Sequence, residues 1–281
     1  MATSEEQAAK AEAFRTLHFQ DAPLVLPNIW DPGSAVLAAD AGFPALASTS
    51  AGVAWALGYS DGEQLSRAEM LEAVARIAAR VPLPLTADME AGYGASPEQV
   101  AETVAKTVEA GAIGVNLEDS LDHAAGTVLE IPAALERIAA VRAVAEETGI
   151  PLVINARTDV YFGKRLSDEE KFCEAAARAN AYLDAGADCA FVIGVGAPDV
   201  IAALVREIDG PLNIIAGSPA LDINVLQSLG VKRISLAGGM ARSMLVHFRD
   251  ALAEIRDHGT TNFLEVGMNH GALNQLYGDR D

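Results

Sequence analysis

Eight short, nearly continuous apolar runs punctuate the chain, near 24–29, 45–50, 83–89, 113–118, 151–156, 189–194, 211–216 and 233–237, and helix-like sequence follows most of them. Runs without polar alternation suit parallel strands covered on both faces. A recurring phrase introduces several of them: a helical stretch closes in a small-residue cap and passes straight into the run, as at Asp40-Ala-Gly-Phe, Glu109-Ala-Gly-Ala, Asp184-Ala-Gly-Ala and Ser228-Leu-Gly-Val. The glycine supplies the left-handed residue that ends a helix. Eight such units predict an α/β fold, a (β/α)8 TIM barrel over about 21–245 in a single domain of 281 residues. Residues 1–20 read as an extra N-terminal helix, and 246–281 as a helical tail that packs on a neighbouring subunit. An open doubly wound sheet is the alternative.

Charge narrows the partners. The chain carries 20 Lys and Arg against 39 Asp and Glu, a formal net charge of −19, with no basic cluster to neutralise phosphates, so nucleic acid is not an expected partner. No apolar run approaches the roughly 18 uninterrupted residues of a membrane span. The first residues, Met1-Ala-Thr-Ser-Glu-Glu-Gln, lack the basic start and apolar stretch of a signal peptide, and the expected location is the cytoplasm. Cys173 and Cys189 form no metal or disulfide pattern and read as inert buried thiols.

A barrel places its chemistry at the C-terminal ends of the strands. Those ends are polar here: Asn28-Ile-Trp30-Asp31, Ser48-Thr-Ser-Ala-Gly52, Asp88-Met-Glu90, Asn116-Leu-Glu118-Asp119 and Asn155-Ala-Arg157-Thr158-Asp159. Four carboxylates, Asp88, Glu90, Glu118 and Asp119, are expected on one rim. Asp88 and Glu90, two apart on a strand, would share a face, with Glu118 beside them on the next strand. Such oxygen ligands suit Mg²⁺, and acids packed this closely repel unless a cation stands among them. No His or Cys joins the group, which disfavours zinc. Arg157, ending an apolar strand, needs anionic partners if it is buried, and so belongs beside the metal or a substrate carboxylate. The small residues Thr49, Ser50, Ala51 and Gly52 let backbone N–H groups approach an anion. His123 lies in the loop beyond Glu118-Asp119, where an acid or base could serve. Ala216-Gly217-Ser218 and Ala237-Gly238-Gly239 stand where many barrels bind phosphate, so a sugar-phosphate barrel gripping its ligand at Gly217 and Gly238 is a rival reading.

Three ordered motifs carry a family resemblance. Thr86-Ala-Asp88-Met-Glu90-Ala-Gly-Tyr-Gly94, Gly114-Val-Asn-Leu-Glu118-Asp119 and Ile154-Asn-Ala-Arg157-Thr158-Asp159 resemble the signatures of the isocitrate lyase/phosphoenolpyruvate mutase superfamily, over about Phe14 to Met244. The resemblance implies an α/β barrel that assembles as a homo-oligomer, a tetramer or dimer, with helices exchanged between subunits. It also implies Mg²⁺, with Mn²⁺ as a substitute, and a small 2-oxo acid bound as its enolate. By motif, Asp88 would ligate the metal directly and Glu90 would stand near it, while Asp61 and Glu118 would hold metal waters. Thr49, Ser50 and Ala51 would grip the substrate carboxylate, Trp30 and Asp31 would line the pocket floor, Arg157 would face the enolate oxygen, and Asn213 would reach the distal part of the substrate.

The departures from the family pattern matter as much. Lyases of the family carry Lys-Lys/Arg-Cys-Gly-His on a gating loop, whereas Ser120-Leu-Asp-His-Ala-Ala-Gly-Thr-Val-Leu-Glu130 has no Cys, and Ile193 replaces an acid at the end of the sixth strand. The Asn-Ser-Leu of the phosphonate mutases is also absent. The expectation is therefore a Mg²⁺-dependent lyase acting on a small 2-oxo or 2-hydroxy carboxylate by C–C cleavage or decarboxylation, with Arg157, Glu118 and His123 as its catalytic groups. A phosphonopyruvate-type P–C mutase or hydrolase, and a non-catalytic 2-oxo acid binding protein, are the alternatives.

Overall fold

The computed structural model describes residues 4–123, 125–217, 221–265 and 267–278. Ser218 of the expected seventh strand end, Ala124 of the loop, residues 1–3 of the expected N-terminal helix and 279–281 of the tail lie outside them. The chain opens with α1 (Ser4–Leu17), followed by β1 (Leu24–Val25), β2 (Asn28–Ile29), α2 (Pro32–Asp40), β3 (Leu46–Ser48), α3 (Ser50–Ala56), α4 (Arg67–Arg80), β4 (Leu85–Asp88) and α5 (Pro97–Glu109). Next come β5 (Gly114–Glu118), β6 (Ser120–Asp122), β7 (Thr127–Val128), α6 (Ile131–Thr148), β8 (Val153–Thr158), α7 (Asp168–Asp184), β9 (Cys189–Val192) and α8 (Pro198–Glu207). β10 (Leu212–Ile215), α9 (Ile223–Ser228), β11 (Arg233–Ser235), α10 (Gly239–His258) and α11 (His270–Tyr277) complete it.

All eight expected runs form strands of one parallel sheet, in the order β1-β11-β10-β9-β8-β5-β4-β3-β2. The first run is divided. Leu24–Val25 pairs with β11 while Asn28–Ile29 pairs with β3, so the sheet curls until two pieces of one stretch form its ends. Pro27 sits at the division. It has no N–H to donate, but its carbonyl accepts from Ala47 N at 3.2 Å, while Leu26 N still donates to Ile234 O at 2.9 Å. One run thus serves both edges of a TIM-barrel-like sheet, and the open-sheet alternative falls.

Capping boxes start the helices where the sequence carries Ser followed three residues later by Glu or Gln, at Ser66/Glu69, Ser96/Gln99 and Ser167/Glu170. The loop after β5 folds into the small antiparallel hairpin β6–β7. α10 runs unbroken from Gly239 through residues 245 and 246, so no structural break marks the start of the tail. Cys189 is buried as expected, but Cys173 is exposed, because it falls on the solvent side of α7. Among the described residues no helix is long and apolar enough to cross a membrane.

The N-terminal end of the barrel is a stability layer. Arg233 is fully buried, with its guanidinium 5.7 Å from the Phe14 ring centroid, and it approaches His18 Nε2 at 3.3 Å. Burial, with Arg233 beside it, pushes the His18 pKa down to about 4, so the ring is neutral: Nδ1 donates to Phe14 O and Nε2 accepts from Arg233. Asp188, just before β9, accepts from Arg15 Nε at 2.8 Å, Arg142 Nη2 at 2.6 Å and Ile154 N at 2.8 Å. One carboxylate thereby ties α1 and α6 to β8. Asp188→Ala should lower unfolding free energy by about 1–3 kcal/mol in urea titration, because Arg142 loses its carboxylate and Arg15 keeps only Glu12. It should leave cation affinity at the other end of the strands unchanged.

Candidate active site

A cavity of about 610 Å³ opens at the C-terminal ends of the strands, with Thr49, Ser50, Ala51, Asp61, Asp88, His123 and Arg157 on its wall. β4 delivers Asp88. Its Oδ2 accepts from both Ser50 N and Ser50 Oγ at 2.9 Å, and its own N–H donates to Ser48 Oγ at 2.8 Å. Ser50 therefore spends both of its donors on fixing Asp88. The other oxygen, Oδ1, is buried and meets no hydrogen-bond partner. A carboxylate oxygen in that state is costly unless a cation completes it.

Glu90 does not share a strand face with Asp88 as the two-residue spacing predicted. β4 ends at Asp88, and Glu90 sits at φ 51° in the turn that follows, with Gly92 and Tyr93 also at positive φ. The turn swings the Glu90 carboxylate to accept from Glu63 N at 2.7 Å and Tyr93 OH at 3.0 Å. Burial, and then the charges of Asp88 and Asp61, push its pKa up to about 7. Asp61, exposed at the rim, is also raised, by partial desolvation and by Asp88. Two acids that resist ionisation around a third with an orphaned oxygen form a donor set short of one cation, and hard oxygen donors of this kind fit a divalent ion.

Arg157 supplies the opposite sign. It leaves β8 buried, its Nη1 2.7 Å from Glu118 Oε2, while Nε and Nη2 donate to the two oxygens of Asp159 at 2.6 and 2.8 Å. Burial opposes its charge, but Glu118 and Asp159 outweigh burial and hold the guanidinium pKa above its ordinary value. Burial raises the Glu118 carboxyl well above its usual range despite Arg157, whereas His123 and Arg157 hold Asp159 low against its burial. His123 Nδ1 lies 3.0 Å from Asp159 Oδ2, and the ring packs against Phe162. The hydrogen bond to Asp159 raises the imidazole pKa. Glu118, His123 and Asp159 bring a ligand atom each within 4.8 Å of one another, a second group able to hold a metal, but Arg157 already engages both carboxylates. Asp88 is the freer donor.

Asp119 leaves the rim on which four acids were expected. It accepts from Tyr182 OH at 2.6 Å, Arg178 Nη1 at 3.2 Å and Asp159 N at 2.9 Å, because the chain turns at the end of β5 and sends it toward α7. Trp30 and Asp31 line neighbouring cavities rather than this one. Trp30 stands behind Gly52, where an added Cβ would come within 2.9 Å of its own, and Asp31 caps α2 by accepting from Ser34 N at 2.6 Å. Asn213 is fully buried inside the sheet and donates to Ser235 Oγ at 3.2 Å, with its Oδ1 unpartnered. Sequence reasoning passed over Asp159 as a site residue, although it closes the Arg157-Thr158-Asp159 motif. It also missed Trp55, Phe162 and Arg242 on the cavity wall, which no motif marks.

The comparisons with known proteins agree with this geometry. The family model of phosphoenolpyruvate phosphomutase matches residues 14–256. A Burkholderia cenocepacia J2315 protein provisionally named a lyase/mutase superposes with a TM-score of 0.91 at 38% identity, covering 99% of this chain and 98% of its own. An oxaloacetate decarboxylase of Bradyrhizobium sp. is 30% identical over 233 residues, 82% of this chain and 78% of that one. The structure of oxaloacetate acetylhydrolase with the inhibitor 3,3-difluorooxalacetate superposes with a TM-score of 0.85 at 29% identity, over 96% of this chain and 93% of the other. The unrelated sugar-phosphate barrel is thereby set aside. With Asp88 and Arg157 on one cavity wall, Glu118 paired to that Arg157, and the family match running from α1 into the last turn of α10, the chain belongs to the phosphoenolpyruvate phosphomutase family of the isocitrate lyase/phosphoenolpyruvate mutase superfamily.

Proposed function

We propose that this protein is a Mg²⁺-dependent lyase that cleaves a C–C bond of, or decarboxylates, a small 2-oxo or 2-hydroxy carboxylate through an enolate. The observation that carries the reading is the buried, unpartnered Asp88 Oδ1 in the same cavity as the buried Arg157. Relatives whose names specify oxaloacetate chemistry support it. Mg²⁺, when bound, supplies a Lewis acid for the 2-oxygen, and Asp88 would hold it with Asp61, Glu90 and Glu118 around it. Arg157 keeps its charge at every working pH and cannot swing away, because both Glu118 and Asp159 grip it. A fixed cation in a water-poor pocket stabilises the negative charge that gathers on the enolate oxygen as the bond breaks. With both Ser50 donors spent on Asp88, the Thr49 hydroxyl and the Ala51 N–H are left to orient the substrate carboxylate. His123 occupies the place of the missing loop cysteine as proton donor, with Nδ1 committed to Asp159 and Nε2 left for the substrate.

The exposed side of α10 supports a homo-oligomer. Met240, Met244, Phe248, Leu252 and Ile255, spaced three or four apart, form an exposed apolar stripe along one face, which water alone does not favour.

Three measurements follow. Pyruvate in D₂O with Mg²⁺ should exchange its methyl protons in an NMR time course, and Arg157→Lys should slow exchange on the order of 10²-fold, since the lone ammonium cannot reproduce the planar fork. No exchange by the wild type would overturn the enolate reading. Thermal shifts test the cation site through pH. The raised Glu90 and Asp61 carboxyls contribute to folded-state stability fully below the ordinary carboxyl range, and that contribution is lost as pH climbs toward about 7 for Glu90. Mg²⁺ should therefore raise Tm more at pH 8 than at pH 5.5, and Asp88→Asn should abolish the gain. Finally, Phe248→Glu with Leu252→Glu should shift the light-scattering mass from oligomer to monomer.

A further inference from the structure

Asp61 reaches the cavity wall on an exposed loop. The loop joins α3 to α4 over residues 57–66, and of these only Leu65 is buried. Two of its ties run to the turn that follows β4. Glu63 N donates to Glu90 Oε2 at 2.7 Å, and the Glu63 side chain returns the contact, its Oε1 accepting from Tyr93 N at 2.8 Å. Tyr93 OH then donates to Glu90 Oε1 at 3.0 Å and closes a circuit of three residues. Glu63 is not among the residues that line the cavity, so whatever it contributes there passes through a neighbour.

The turn is a firm support for the loop. Arg137, buried on α6, donates to Ala91 O at 2.9 Å and to Ala95 O at 3.2 Å, and a Cβ on Gly92 would come within 2.9 Å of Val100 Cγ1 on α5. The loop itself is bent at a cost. Glu63 sits at φ 53°, where glycine rests freely but a Cβ crowds the following carbonyl. A glutamate held in that conformation is accounted for by its carboxylate, which accepts the Tyr93 N–H and so binds the loop to the turn from the loop's own side.

We infer that Glu63 is a positioning residue: by docking the 57–66 loop on the turn after β4, it fixes Asp61 in the cation site. The inference rests on the Mg²⁺ site proposed above, and calorimetric titration of the metal-free protein with Mg²⁺ alone tests it. Glu63→Ala should weaken Mg²⁺ binding about fivefold, the equivalent of one hydrogen bond. Glu63→Gln keeps an oxygen to accept from Tyr93 N while carrying no charge, and should bind Mg²⁺ as the wild type does. The Tyr93 amide should exchange with D₂O faster in Glu63→Ala and at the wild-type rate in Glu63→Gln. In an Asp61→Ala background, Glu63→Ala should have no further effect on Mg²⁺ affinity, because a residue that acts through Asp61 then has nothing left to position. Wild-type affinity in Glu63→Ala, or losses that add in the Asp61→Ala background, would overturn the inference while the cation site stands. So would an equal loss in Glu63→Gln, which would mark an effect of charge rather than of position. Failure of the wild type to bind Mg²⁺ at all would overturn the site itself and this inference with it.

Discussion

The cavity keeps its shape because one guanidinium is locked between two carboxylates. Arg157 joins the end of β5, through Glu118, to the turn after β8, through Asp159. Asp159 is in turn held by Asp119, which accepts its N–H at 2.9 Å and anchors the base of the hairpin through Leu129 N at 2.7 Å. Arg178 closes the ring, donating to both Asp119 and Leu129 O. A buried ion network of this kind contributes little net stability, because desolvation offsets its attraction, but loss of one member strands the others as uncompensated charges. Its return is position: the active cation, the loop histidine and the hairpin share a single rigid frame.

The two ends of the strands solve the burial of charge differently. At the N-terminal end Asp188 meets its arginines, and Arg233 meets the Phe14 ring and His18. At the C-terminal end the acids around Asp88 are left short of positive charge, while Arg157 is given two anions. Stability can be conceded at the second end because the first, together with two large clusters of buried apolar side chains, supports the fold.

Much of this was legible in the sequence, and its limits are physical. Apolar runs marked every strand of the parallel sheet because such strands are covered on both faces, whereas the polar β6–β7 hairpin carried no such mark. Periodicity could not show that the first run divides at Pro27 and closes the sheet, since closure depends on pairings two hundred residues apart. Nor could it show Glu90 at positive φ, because strand alternation ends where the strand ends. Arg157 was legible as a buried cation needing anions, but Asp159 was not singled out, and the outward turn of Asp119 is settled by Tyr182 and Arg178 on a distant helix.

On the proposed reading, charge also orders the ligands. Asp88 cannot meet an incoming carboxylate directly, because Asp61 and Glu90 already resist ionising beside it. A divalent cation removes that repulsion and lets Asp61 and Glu90 ionise, turning a field that repels the substrate into one that receives it. Arg157 cannot perform this service, since its charge is already balanced by Glu118 and Asp159. The buried acids are thus arranged to take up the cation first. The anion follows because the cation has reversed the sign of the field around Asp88.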